Sequence, residues 1–284
     1  MNNYLMKITY QITLLIFSLT SKVMNLFFLL LFALTKKNFP LIFFKSIEKE
    51  FNFTYKQGGI TFDSSDLNPY YRAKSLLTKE PDTISWIEDY FDPDEIFYDI
   101  GANVGVFSLY AAKQGLKVYS FEPESQNYAF LNKNIRLNTF KHEIVSLNIA
   151  LNNVDTISYL ALGSVDPGSA MHSFDKKENI TGFTQSVLGY SLDSLIRYFN
   201  LDTPNHIKID VDGNEYRIIS GMKETLQNKE LKSLCIEIDG NIDLDNKIVE
   251  ILDDNCFSRI NMRMKTKVSN GVYNIFFLRR ICER

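Results

Sequence analysis

The sequence predicts an α/β fold: a mostly parallel sheet of seven strands, closed by an antiparallel hairpin and preceded by an apolar helical extension. Three observations predict it. From residue 96 onward, short apolar runs alternate with helix-period stretches, as a parallel sheet with crossover helices requires. Near the end, Phe257–Met264 and Tyr273–Leu278 flank Ser269–Asn270–Gly271, a sequence suited to a hairpin turn. The first fifty residues are apolar and basic and lack that alternation.

The elements follow in order. Residues 1–50 form the extension, 51–90 a lead-in, and 91–284 the main domain. Residues 8–34 are long and apolar enough to cross a bilayer as a helix. Lys22 near the middle is costly there. Gln11, Ser18, Lys22 and Asn25 instead form one polar stripe, which suits a helix lying in the membrane interface. A helical hairpin packed on the main domain or on a second subunit is the third arrangement. Lys36, Lys37 and Lys45 follow, and Phe39–Phe44 adds a second apolar patch. A basic arm on an acidic body suits attachment to the anionic cytoplasmic face of a membrane. No small-x-small cleavage site follows the apolar run, which argues against a cleaved signal.

Ser75–Phe91 reads as a helix with Trp86, Ile87 and Tyr90 on its apolar face. Ile96–Ile100 and Lys117–Phe121 read as the first two strands of the main domain, joined by a helix over Val104–Gln114 and followed by one over Gln126–Leu137. Glu143–Ile149, Ile207–Val211 and Leu234–Ile238 are the next strands, the last two separated by a helix around Glu215–Gln227. An insertion before Ile207 holds a strand at Thr156–Leu162 and a loop of small residues at Gly163–Ser173.

Net charge is −3, so no global positive field is available to grip a phosphate backbone, and a nucleic acid partner is disfavoured. Cys235, Cys256 and Cys282 are too widely spaced for a zinc site or a disulfide framework, and read as buried thiols in a reducing compartment. No metal site is expected.

Chemistry concentrates at the predicted strand ends. Asp99–Ile100–Gly101–Ala102–Asn103–Val104–Gly105 follows the first of them and precedes a helix. A glycine there lets backbone approach a ligand closely, and an acid there can accept hydrogen bonds from an amino group. A dinucleotide fingerprint needs Gly-x-Gly-x-x-Gly, and Asp99 would repel a pyrophosphate. S-adenosylmethionine has no phosphate and carries a sulfonium cation, so an acidic pocket suits it. Glu122, in Phe121–Glu122–Pro123 after the next strand, can take both hydroxyls of a ribose. Lys208–Glu215 forms a third cluster, in which Asp210 and Asp212 face the same way if the strand stays extended. Asp212 and Glu215 either serve the substrate or cap the next helix.

Together with Ser191–Leu195 and the run Leu131–Asn138, these motifs resemble the FkbM family of methyltransferases, over about Ile96–Gly240. The resemblance implies a Rossmann-like class I methyltransferase fold and O-methylation of a hydroxyl on a sugar, glycan or related metabolite. It carries Asp99, Gly101, Asn103, Gly105, Glu122 and Asn148 over as the cofactor set. The family pattern Asp-Val-Glu-Gly stands here as Asp210–Val211–Asp212–Gly213, a side chain shorter by one methylene. A hydroxyl acceptor loses its proton as the new bond forms, which asks for a base. Asp210 is the first candidate. His172, in the insertion loop, is the second. A nicotinamide-dependent sugar enzyme and a catalytically silent membrane scaffold of a glycan assembly complex are the competing functions.

Overall fold

The computed structural model describes residues 2–35, 40, 43, 54–170, 172–174, 182–238, 242–262 and 273–281. In chain order, helix α1 (Asn2–Thr35) precedes a hairpin of β1 (Thr54–Gln57) and β2 (Ile60–Asp63), then α2 (Leu67–Ser75) and α3 (Pro81–Tyr90). Next come β3 (Ile96–Ile100), α4 (Val106–Lys113), β4 (Lys117–Phe121), α5 (Ser125–Arg136) and β5 (Ile144–Leu147). The insertion supplies β6 (Ala150–Asn152), β7 (Thr156–Ala161), β8 (Ser173–Phe174) and β9 (Thr184–Ser191). The rest is α6 (Leu192–Phe199), β10 (His206–Ile209), α7 (Glu215–Ser220), α8 (Lys223–Gln227), β11 (Ser233–Ile238), α9 (Ile242–Asp254), β12 (Phe257–Ile260) and β13 (Tyr273–Arg279).

The main sheet has seven strands in the order β12-β13-β11-β10-β3-β4-β5. β5, β4, β3, β10 and β11 are parallel, while β13 runs antiparallel to β11 and β12 antiparallel to β13. This is the mostly parallel sheet with a closing antiparallel pair that the sequence predicts. The chain leaves β3 in one direction through β4 and β5, and returns on its other side through β10 and β11. The strand order therefore reverses at β3/β10, where open α/β sheets form their ligand crevice.

Side-chain alternation builds a core on each face. Tyr98, Ile100, Phe121, Ile207, Ile209, Leu234 and Ile236 belong to one; Phe97, Val118, Cys235 and Phe276 join Trp86, Ile60 and Leu109 in the other. Within the second face one register row is polar: Cys235, Lys208, Asp99, Ser120 and Ser146 are neighbours across five strands. The following row, two residues on, is the row of strand tips.

Several local features differ from expectation for identifiable reasons. The helix expected over Ser75–Phe91 is shorter, α3 alone, because Pro81 begins it: it has no N–H to donate and disfavours helix at the residue before it, while α2 ends at Ser75. The helix expected over Glu215–Gln227 is broken into α7 and α8 around Gly221, where a Cβ would lie 2.3 Å from the Asn152 carbonyl oxygen. Ser191 caps α6, accepting from Ser194 N at 3.2 Å, and Asp193 caps α8, accepting from Glu224 N and Thr225 N at 2.8 and 2.9 Å. Strand β9 and helix α9 have no counterpart in the sequence reading. Cys235 is a free, buried thiol as expected, whereas Cys256 is disulfide-bonded.

The lead-in attaches through asparagines of α5 and the residues just after it. Asn138 acts as a strand surrogate for Thr61, accepting from its N–H at 2.9 Å and donating to its carbonyl at 2.7 Å. Asn134 accepts from Asp63 N and donates to the Val104 carbonyl, both at 2.7 Å. The run Leu131–Asn138 thus ties the β1–β2 hairpin to the turn after β3.

The chain divides into two compact units, Met1–Phe53 and Thr54–Arg284, so the lead-in from Thr54 belongs to the unit that holds the main sheet. In the first unit, Thr13–Ala33 has mean hydropathy 2.0, and its side chains are exposed except for Phe28 and the half-buried Leu31. Phe28 packs on Phe27 and on Phe43. Lys36, Lys37, Lys45, the rest of the Phe39–Phe44 patch beyond Pro40 and Phe43, the Ser269–Gly271 turn and Cys282 lie outside the described residues.

Candidate active site

Each parallel strand ends in a short polar extension, and these extensions lie side by side. Continuing the register by one row beyond Ile236, Ile209, Ile100, Phe121 and Leu147 brings Glu237, Asp210, Gly101, Glu122 and Asn148 into line. Above them is a cavity of about 140 Å³ lined by Gly101, Asn103, Glu122, Asp210, Asp212, Glu237, His172 and the cations Arg72 and Lys79. Two larger surface cavities, of about 640 and 730 Å³, hold none of the motif residues. The smaller one carries the chemistry because the strand tips converge on it.

Gly101 is indispensable to this geometry. Its φ is +83°, and a Cβ would lie 1.8 Å from the Asp210 carbonyl oxygen. Its N–H and that of Ala102 donate to the Phe121 carbonyl at 3.0 and 3.1 Å, folding the turn over the end of β4. Gly105 (φ +86°) opens α4, where a Cβ would meet Leu131 at 2.4 Å.

Glu122 is 4% exposed and accepts from Asn103 N at 2.7 Å and Glu124 N at 2.8 Å. Burial outweighs these bonds and pushes its carboxyl up to about 7. Asn103 (φ +52°) also donates through Nδ2 to the Ser169 carbonyl at 2.7 Å. Asn127 holds the same loop, accepting from Gly168 N at 2.7 Å, and Arg72 Nε donates to the Gly168 carbonyl. The loop of small residues is therefore pinned over the cavity from three sides.

Asp99 is not at the cavity surface. It is 1% exposed, with Oδ2 accepting from Ser108 Oγ at 2.5 Å and Oδ1 without a partner among the described residues. Burial raises its carboxyl, and the nearby Lys208 ammonium opposes that rise. Lys208, fully buried beneath the tips, is ion-paired to Asp210 Oδ2 at 2.5 Å and lies 5.0 Å from the Phe107 ring centroid. Burial pushes Asp210 up, but Lys208 pulls it further down, leaving it below the ordinary carboxylate range. That makes Asp210 alone a poor base. Its neighbour Glu237 is raised, first by burial and then by the Asp210 charge.

The expectation that Asp210 and Asp212 share an extended strand fails. β10 ends at Ile209 and Asp212 has φ +57°, so Asp212 reaches the cavity through a turn. Glu215 is structural: 7% exposed and away from the cavity, it accepts from Gly213 N at 3.0 Å and Val211 N at 3.3 Å. Burial raises it to about 7. Asn148 is exposed and off the cavity, donating to the Glu122 and Pro123 carbonyls at 2.8 and 3.0 Å. It braces the Glu122 segment.

His172 is 9% exposed and lines the cavity. Its Nδ1 accepts from Gly163 N at 3.3 Å, and burial lowers its pKa. A neutral ring whose Nδ1 accepts carries its proton on Nε2, an atom that is buried without a partner among the described residues, so the ring is a donor and not a base.

The sequence reading missed Glu237, Arg72 and Asn127. A glutamate inside the apolar run Leu234–Ile238 was the available signal for the first, as was the buried Lys208 for a carboxylate beside it. Arg72 and Asn127 carry no such mark.

A family model described as the methyltransferase FkbM domain matches residues 99–259, more than half of the chain. The hexuronic acid methyltransferase AglP of Haloferax volcanii is 23% identical over 168 residues, 59% of this chain and 65% of that protein. The chain thus matches less than two thirds of that relative's length. A crystal structure of a methyltransferase FkbM from Methylobacillus flagellatus KT is 17% identical, covering 75% of this chain and 55% of that one, at a TM-score of 0.45. Magnesium protoporphyrin IX methyltransferase from Synechocystis PCC 6803, solved with bound SAM, is 12% identical over 76% of this chain and 85% of its own, at a TM-score of 0.46.

Proposed function

Because this chain belongs to the methyltransferase FkbM family, we propose that it transfers a methyl group from S-adenosylmethionine to a hydroxyl of a sugar, glycan or related metabolite. The observation that carries the reading is the single register row Glu237–Asp210–Gly101–Glu122 beneath one cavity. The residues fit the cofactor. Gly101 lets the turn after β3 close against the Asp210 carbonyl, where any Cβ would collide, and Glu122 suits a ribose edge. The surrounding carboxylates suit a sulfonium. Asp99 supports the floor through Ser108 and Lys208 and does not itself meet a ligand. Bound there, the cofactor supplies an electrophilic methyl. The chain's own contribution is to orient the acceptor, exclude water under the pinned loop and accept a proton.

A sugar acceptor is supported by the name of the Haloferax relative and by the two cations in the cavity wall, which suit an acidic sugar. Membrane attachment through α1 is part of the same reading, supported by its exposed apolar side chains. Phe17→Glu with Phe27→Glu would abolish flotation with phosphatidylserine vesicles if it is right, and leave flotation unchanged if it is wrong.

Calorimetry with S-adenosylhomocysteine, followed by labelled-methyl transfer to methyl glucuronoside and methyl glucoside, tests the function. Binding that is lost in Glu122→Ala, and a base-stable methyl ether product, are expected. No binding by the wild type sinks the cofactor. A base-labile product would mean a carboxyl ester and sink the hydroxyl acceptor.

A further inference from the structure

β10 and β11 are parallel with Ile209 opposite Ile236, so the next residues, Asp210 and Glu237, stand beside each other at the cavity floor. The Asp210 and Glu237 carboxyls lie within hydrogen-bonding reach of one another, a contact that forms only with a proton between them. Lys208 settles which oxygen atoms share it. Its ammonium is fully buried and contacts Asp210 Oδ2 at 2.5 Å, so the negative charge of the pair stays on Asp210. The proton then belongs to Glu237.

We propose that Glu237 is the catalytic residue that takes the acceptor's hydroxyl proton, with Asp210 and Lys208 as its positioning residues. This rests on the O-methylation reading above. As the acceptor oxygen bonds the methyl carbon, the carbon–sulfur bond breaks and its electron pair stays on sulfur. The hydroxyl proton passes to the Glu237 carboxylate and from there to water. Glu237 must therefore be ionised when the acceptor arrives, and the charges around it set when that happens. Asp210 and the more distant Glu80 hold its proton on, Lys208 favours its release, and Asp212 and Lys79 line the same cavity. Burial and the Asp210 charge together make it a stronger base than Asp210, which its ion pair with Lys208 leaves too weak a base for the transfer.

Carboxyl-13C NMR of protein labelled at Asp and Glu tests the shared proton without any acceptor. One resonance should titrate well above the ordinary carboxylate range, be absent in Glu237→Gln, and move at least one pH unit toward the ordinary range in Asp210→Asn. The Kd of S-adenosylhomocysteine should stay within about twofold of wild type in Glu237→Gln. Transfer to any acceptor that the wild type methylates should fall at least a hundredfold, a loss of the size general-base removal gives. An ordinary Glu237 titration overturns the proposal, as does a tenfold weaker cofactor affinity, which would make it a binding residue. A Mg2+-dependent shift of both resonances also overturns it, since the pair would then be a cation site. If the wild type itself binds no S-adenosylhomocysteine, the methyltransferase reading falls, and the NMR result still decides the shared proton.

Discussion

Replacing Lys208 by methionine isolates the electrostatics beneath the strand tips. Methionine keeps the unbranched bulk against Phe107 but removes the charge that Asp210 meets at 2.5 Å and that opposes the rise of Asp99. Breaking a buried ion pair by deleting one partner costs about 3–5 kcal/mol, because the other charge stays buried and uncompensated. Two carboxyls depend on Lys208, so we expect the upper part of that range at pH 8. The loss must then depend on pH. In the Lys208→Met variant the folded-state pKa of Asp210 rises above its unfolded value, and that of Asp99, already above it, rises further. The native state binds more protons than the unfolded one between those limits, and stability falls as pH rises through that window. At pH 5 the carboxyls are protonated and the difference from wild type should shrink to about 1–2 kcal/mol. Urea unfolding at both pH values measures it. Equal losses at pH 5 and pH 8 would refute the reasoning, since packing would then account for the effect.

Three further outcomes follow from the same geometry. Gly101→Ala puts a Cβ 1.8 Å from the Asp210 carbonyl at φ +83°, so it should cost more than about 3 kcal/mol in urea unfolding and abolish S-adenosylhomocysteine binding in calorimetry. Glu122 is held up to about 7 against an ordinary 4.5, so wild-type stability should fall between those pH values and level off above. Thermal melts of Glu122→Gln across the window should show a shallower slope, with the buried Glu215 supplying what remains. Asn127→Ala removes both the acceptor for Gly168 N and a donor to the Ser169 carbonyl, and should speed amide exchange across residues 163–170 while costing about 1–2 kcal/mol.

Strands β3 and β4 were legible to the residue, because Ile96–Ile100 and Lys117–Phe121 are buried on both faces and read as short apolar and aromatic runs broken inside only by Asp99 and Ser120. Glu122 and Gly101 were legible because their signal is local: an acid after a strand, a glycine before a helix. What was not legible depends on pairing. Glu237 matters because β11 lies beside β10 in a particular register, and no pattern within either segment states that. Asn148 and Glu215 look like ligands in sequence because they sit beside the motifs. Only their hydrogen bonds to backbone reveal them as braces. Asp212 was misread because an extended strand was assumed where Gly213 allows a turn. Lys79 and Arg72, contributed by the segment before the motifs, were invisible for the same reason as Glu237.

The asparagine ties of Asn134 and Asn138 have a consequence for how acceptor preference can change. Arg72 and Lys79 are carried by the chain ahead of residue 99, outside the stretch matched by the family model, whereas Asn134 and Asn138 lie inside it. The two amides grip main-chain atoms of Thr61 and Asp63, so they are indifferent to which side chains the hairpin bears. A different leader with a different complement of charges could plug into the same two amide sockets. The half of the cavity proposed to hold the nucleoside would stay untouched while the half proposed to receive the acceptor is exchanged.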